Sequence, residues 1–278
     1  MTLQILVPLH TYPDGNSPNI ARHVRQVATH LGGHVHALVL NADFPKVGNP
    51  LANLVLDADS LVKGAKAKCK QNGKALLDEV QAQLEPAGID LRATSIEYFP
   101  TELTDKVSDI ARYHDLTILG VGSHDAALRV TAEEVVFAAG RPVLLLPEDL
   151  EVKSYDRVAI AWDGSRVAAR AVADAWPFLS KATKVSILCV TDEKALPHAD
   201  IGARLAAYLD RRGIKADVET IAASGRPIGA TLQSAALSLG AGVLVMGGFG
   251  HSRMRDFVLG GATSGILHDL AMPVLISH

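Results

Sequence analysis

In the segment Val243-Leu-Val-Met-Gly-Gly-Phe-Gly-His-Ser-Arg-Met-Arg-Asp-Phe-Val-Leu-Gly-Gly-Ala-Thr263, an apolar tetrapeptide without alternation runs into a glycine-rich connection and then into a helical pattern. Ile266, Leu267 and Leu270 give that helix its apolar positions, and Pro273 stops it before a second apolar run, Val274-Leu-Ile276. An unalternated β-branched run suits a strand whose sheet is covered on both faces. Strand, crossover helix and strand in that order make a βαβ unit of a parallel sheet.

The same units occur earlier in the chain. Ile5-Leu-Val-Pro8-Leu-His10 recurs as Val158-Ala-Ile-Ala161-Trp-Asp163, an offset of 153. His34-Val-His-Ala-Leu-Val-Leu40 recurs as Lys184-Val-Ser-Ile-Leu-Cys-Val190 (offset 150), and Ile89-Asp-Leu-Arg-Ala-Thr94 as Ile214-Lys-Ala-Asp-Val-Glu219 (offset 125). Leu116-Thr-Ile-Leu-Gly120 recurs as Val243-Leu-Val-Met-Gly247 (offset 127), and Arg141-Pro-Val-Leu-Leu-Leu146 as Met272-Pro-Val-Leu-Ile-Ser277 (offset 131). Five matches in one order identify a diverged tandem repeat.

Each repeat reads β-α-β-α-β-α-β-α-β. After Ser165, residues Val167, Ala168, Ala171, Val172, Ala175 and Leu179 form one apolar stripe at helical spacing. Ser224-Gly-Arg-Pro227 reads as a helix start with Ser224 as cap, and Gly240 as its end. The expectation is an α/β fold of two tandem, doubly wound, five-stranded parallel-sheet domains, 1–150 and 151–278, divided near the polar stretch Pro147-Glu-Asp-Leu-Glu-Val152. The fall in offset from 150 to 125 places 25 extra residues in the first repeat, within Ala42 to Gln71, where Pro45, Gly48 and Pro50 make the start loop-like. The final strands, Val143–Leu146 and Val274–Ile276, are expected to pair antiparallel and cover each other's edges, with the halves face to face about a pseudo-twofold axis.

Composition narrows the functional classes. The 278 residues are 48% hydrophobic and carry 27 basic and 30 acidic side chains, a net charge of −3. Nucleic acid is not an expected partner, because phosphate neutralisation needs clustered Lys and Arg. No run of about 18 apolar residues marks a membrane span. Cys69 and Cys189, 120 positions apart, are no disulfide framework. The start Met1-Thr2-Leu3-Gln4 lacks a signal-peptide pattern, so the expectation is a cytoplasmic protein.

The chemistry falls in the glycine connection of the second repeat, which is four residues longer than that of the first. Open parallel sheets bind ligands beyond the carboxyl ends of their strands. Glycines let a backbone approach phosphate oxygens, and a helix starting near Gly261, Ala262 and Thr263 presents free amides to an anion. His251, Arg253 and Arg255 could add charge. The alternative is that these glycines only make a tight turn.

Here the sequence resembles the universal stress proteins in their tandem two-domain form, over the whole chain. Gly247, Gly250 and Gly260 match that family's nucleotide pattern: Gly, two residues, Gly, nine residues, Gly, then Ser or Thr. The next position is Gly261, with Thr263 two residues further on. The resemblance implies that an adenine nucleotide, ATP or AMP, with or without Mg, meets Asp163 at the end of strand one, Val190 at the end of strand two, and Met246-Gly247. Ala161 and Trp162 would line the same crevice. An ordinary turn or cap role for Asp163 in Asp163-Gly-Ser165 stands beside the ligand role.

The first repeat departs from the pattern. Ser123 stands where Gly250 does, His10 replaces Asp163, and Thr131-Ala-Glu-Glu134 occupies the expected phosphate region, where two carboxylates would repel it. Nucleotide is therefore expected in the second half only. Elsewhere, His34 and His36 share one side of a strand and read as a half-exposed face rather than a metal pair. Cys189 reads as a buried small hydrophobe, and Cys69, among Lys66, Lys68 and Lys70, as part of a solvated helix face. No Gly-x-Ser-x-Gly elbow, His-Glu-x-x-His helix, Walker A loop, Ser-Gly-Gly-x-Asp-Ser loop or dinucleotide fingerprint is present.

The resemblance implies a nucleotide-binding regulator of the stress response without a catalytic residue. A slow ATP hydrolase or phosphotransferase is the rival; Asp163, Asp256 and His251 are its only candidates for metal ligand or base. A ligand-free interaction module is the third reading. Expected partners are the nucleotide and, within the chain, the other half, with a homodimer left open.

Overall fold

The computed structural model describes residues 2–44, 58–122, 126–193, 198–248 and 261–278. In the first half, β1 (Leu3–His10), α1 (Asn19–Leu31), β2 (Gly33–Ala42), α2 (Ala58–Leu84), β3 (Leu91–Tyr98), α3 (Leu103–Ala111), β4 (Leu116–Val121), α4 (Ala126–Ala138) and β5 (Val143–Pro147) follow in order. In the second half come β6 (Arg157–Ala161), α5 (Arg166–Asp174), the short α6 (Trp176–Leu179), β7 (Lys184–Val190), α7 (Ile201–Asp210), β8 (Ala216–Ile221), α8 (Ile228–Ser238), β9 (Val243–Gly247), α9 (Ala262–His268) and β10 (Val274–Ser277).

All ten strands join one sheet in the order β3-β2-β1-β4-β5-β10-β9-β6-β7-β8. The order is symmetric about its centre, where β10 runs antiparallel to β5 with Leu275 opposite Leu144. The halves therefore meet edge to edge. The antiparallel pairing is as expected, and the face-to-face arrangement is corrected: pairing two apolar edge strands satisfies both rows of backbone groups at once.

The register repeats as the sequence does. Ile5 lies opposite Val35 and Leu116, and Val158 opposite Val185 and Val243. Val35 pairs with Leu91 and Val185 with Ala216, while Thr117 pairs with Val143 and Leu244 with Val274. Two apolar cores cover the sheet. One lies under α1, α5, α6, α7 and the C-terminal part of α2, the other under α3, α4, α8 and α9. On α1, Ile20, Val24, Val27 and Leu31 are buried at helical spacing, and Gly32 closes the helix at φ +74° with its N–H on Ala28 O at 2.8 Å.

The extra segment of the first half is largely helical: α2 runs for 27 residues. Residues 45–57, including Pro45, Gly48 and Pro50, lie outside the described residues. Cys69 faces inward at 1% exposure, beside Ala42 and Tyr98, which corrects the solvated-face expectation. His36 is buried, with Nε2 2.7 Å from Thr94 Oγ1 and Nδ1 2.9 Å from His114 Nε2. His34, two residues earlier, lies half-exposed 3.2 Å from Asp90. No helix among the described residues is long and apolar enough to cross a membrane.

Candidate functional site

In the second half the chain leaves β6 toward β7 and β8, then returns to β9 on the other side of β6. The carboxyl ends of β6 and β9 thus form the crevice of a topological switch point. Ala161, Trp162, Asp163 and Gly247 stand there, all half-buried. Asp163 Oδ1 accepts the Ser165 N–H at 2.9 Å, across Gly164 at φ +74°. Ser165 in turn caps α5, its Oγ accepting the Ala168 N–H at 3.2 Å. Two local bonds therefore hold the Asp163 carboxylate at the crevice mouth. The turn role expected of Asp163 is the one these bonds make.

Trp162 is anchored by its indole N–H, which donates to Ile201 O at 3.1 Å. Val190 and Met246 point their side chains into the core under α8 and α9. Gly247 has a packing reason to be glycine: a Cβ there would come within 2.5 Å of the Ala168 nitrogen and the Val167 carbonyl carbon. Gly261 sits in extended backbone just before α9, and Thr263 is buried in its first turn. The start of α9 is pressed onto α8 at Gly229, where a Cβ would meet Ala262 O and Ile266 N at 2.9 Å each. Gly250, His251, Arg253, Arg255, Asp256 and Gly260 lie outside the described residues, as does Ser123.

Asp192, not singled out from sequence, follows β7 and joins the loops after β7 and β8. Its carboxylate accepts the N–H groups of Ala223 at 2.7 Å and Ser224 at 2.8 Å, which hold its pKa below the ordinary Asp value. Ser224 is drawn to φ +52° and Gly225 to φ +78°, so Ser224 is a loop residue and Pro227 directly precedes α8. Cys189 is buried as expected. Burial, with a smaller contribution from the Asp163 charge, pushes its thiol pKa up. No group of three or more metal-ligating side chains occurs among the described residues.

The corresponding crevice of the first half, between β1 and β4, is shut. His10, in the place of Asp163, is 4% exposed, and Gly120, in the place of Gly247, is buried. Thr11 is covered by α2, with Asn72 Nδ2 donating to its carbonyl at 3.2 Å, and Thr11 Oγ1 donates to Leu40 O at 2.5 Å. The expected repulsion from Glu133 and Glu134 is corrected. Both lie well inside α4, and Glu134 accepts the Thr104 hydroxyl of α3 at 2.5 Å. The carboxylate at this crevice is Glu148, whose partners Asn16 and Ser17 lie too far back in the chain for local sequence patterns to reveal.

Residues 154–278 match the model of the Universal stress protein family. A universal stress protein of Synechocystis sp. is 25% identical over 218 residues, 74% of this chain and 71% of that protein. The crystal structure of a universal stress protein from Archaeoglobus fulgidus superposes with a TM-score of 0.74 at 18% identity, covering 99% of this chain and 96% of that one. The cytoplasmic domain of a prokaryotic cation chloride cotransporter superposes with a TM-score of 0.50 at 12% identity, covering 99% and 95%. The two structural likenesses concern the fold, which alone does not decide function.

Proposed function

We propose, because residues 154–278 match the model of the Universal stress protein family, that this chain is a tandem protein, with domains 1–150 and 151–278, that holds an adenine nucleotide in the second and acts as a regulator rather than a turnover enzyme. The observation that carries this reading is the contrast between the switch points. The second is half-exposed with a positioned carboxylate, Asp163, and the first is buried. Asp163 would receive the ribose hydroxyls, and backbone at Met246 and Gly247 the base. Gly250, Gly260 and Gly261–Thr263, with His251 and Arg253, would take the phosphates. Asp163 is already committed to Ser165, which suits binding better than proton transfer. Chromatography of the supernatant from heat-denatured, freshly purified protein tests the reading. An adenine nucleotide approaching one per chain is expected. Its absence, together with no heat change on adding ATP, overturns it.

A further inference from the structure

We propose that the β1/β4 crevice is a carboxylate site occupied by the chain's own Glu148, a tethered ligand that shuts the first half and fastens the connection between the halves to α1. This assignment stands independently of the nucleotide reading. Glu148 follows β5 directly and is 2% exposed. One carboxylate oxygen accepts Asn16 Nδ2–H at 2.6 Å and the other the Ser17 backbone N–H at 2.7 Å.

The donors are set by the tip of β1. Asn16 Oδ1 accepts the His10 N–H at 2.6 Å, and the Asn16 N–H donates to His10 O at 3.0 Å. This pair of hydrogen bonds to His10 leaves the Asn16 Nδ2–H directed at Glu148. α1 begins two residues beyond Ser17, so its positive end favours an anion here. The space is kept open by Gly120, where a Cβ would be driven into Glu148 Oε1 and the Ile20 side chain.

The second half shows what the site replaces. There the N–H of Ser165, just before α5, is taken by Asp163 from the end of β6. In the first half His10 holds that strand position, and the N–H of Ser17, just before α1, is taken by Glu148 from the end of β5. The carboxylate lost from one strand end is resupplied from another, and it arrives buried instead of half-exposed. Its chain then continues along α1: Glu148 O accepts Asn19 Nδ2–H at 3.3 Å and Val152 O accepts Gln26 Nε2–H at 3.1 Å.

Thermal unfolding of full-length Glu148→Ala, in acetate and in chloride at matched ionic strength, tests the assignment. Truncation leaves the Asn16 and Ser17 donors facing a carboxylate-sized void. The midpoint should fall by at least about 2 °C, and acetate should recover half or more of that loss while leaving the parent protein unchanged. An equal acetate response in variant and parent overturns the proposal. Glu148→Gln keeps the shape and decides the matter if the alanine variant does not fold. It turns one acceptor into a donor facing a donor, so its midpoint should fall, without acetate rescue because the space is filled. A glutamine variant as stable as the parent overturns the proposal.

Discussion

The Ser17 N–H and the Glu148 carboxylate lie 2.7 Å apart across 131 residues of chain. A bond of such sequence separation links the start of α1 to the end of β5 and brings the two ends of the first half together. Its counterpart in the second half, Asp163 with Ser165, spans two residues. One carboxylate is thus part of a core contact and the other is left at a crevice mouth.

Gly120 and Gly247 are aligned glycines that exclude a Cβ for different reasons, a side-chain carboxylate in one case and α5 backbone in the other. Gly120→Ala and Gly247→Ala should each destabilise by about 1–3 kcal/mol. Adding Glu148→Ala should relieve part of the Gly120→Ala cost, with a coupling of about 0.5 kcal/mol or more, and leave the Gly247→Ala cost unchanged. Denaturant titration of the singles and doubles measures this; additivity at both positions would refute it.

Acid should weaken the fold from near pH 6.5 downward. Burial, then the His114 and Arg92 charges, push the His36 pKa down to about 4. Burial is also the main cause lowering His23, beneath the inter-half connection, and His30, which Asp156 pulls partly back up. Each of these folded-state pKa values lies below the unfolded value, so the unfolded chain binds protons first. Stability is complete above about pH 6.5 and is lost as pH falls toward 4. Asp43, Glu102 and Asp192, all held below the ordinary carboxylate range, add their loss only below about pH 4. Thermal midpoints from pH 7.5 to 4.5 should fall, with a shallower slope in His36→Gln. A flat profile would count against the buried neutral histidines.

Gly229→Ala should displace the start of α9, since the new methyl meets Ala262 O and Ile266 N at 2.9 Å. A loss of about 1–3 kcal/mol is expected, together with weaker nucleotide binding than the stability loss alone accounts for. Calorimetry well below the unfolding midpoint separates the two. Unchanged affinity would place α9 outside the site.

The strand framework was legible because parallel pairing preserves offsets. The recurrence of Val35 as Val185 and Leu116 as Val243 appears directly in the register. Contacts between distant segments were not legible. Lys66, Lys68 and Lys70 suggested a wet helix face around Cys69, yet the fold carries that stretch across Tyr98 and Ala42. From sequence alone Glu148 reads as part of the polar stretch Pro147–Val152, because its partners lie at the other end of the first half. The turn role of Asp163 is legible from its own neighbours, Gly164 and Ser165, because its bond is local.

One nucleotide site, in the second half and dependent on the glycine connection, is expected. Calorimetric titration of the full-length chain with ATP tests it most directly, alongside Gly260→Val and Arg253→Ala, each shown to be folded by circular dichroism. One molecule of ATP should bind per chain. An affinity loss of roughly tenfold or more is expected in Gly260→Val if residue 260 approaches a phosphate or takes positive φ, where a β-branched residue costs about 1–3 kcal/mol. A smaller loss, about 0–1 kcal/mol, is expected in Arg253→Ala if Arg253 supplies only a solvent-exposed charge. Two sites per chain, no site, or a valine variant that binds as the parent does would contradict it.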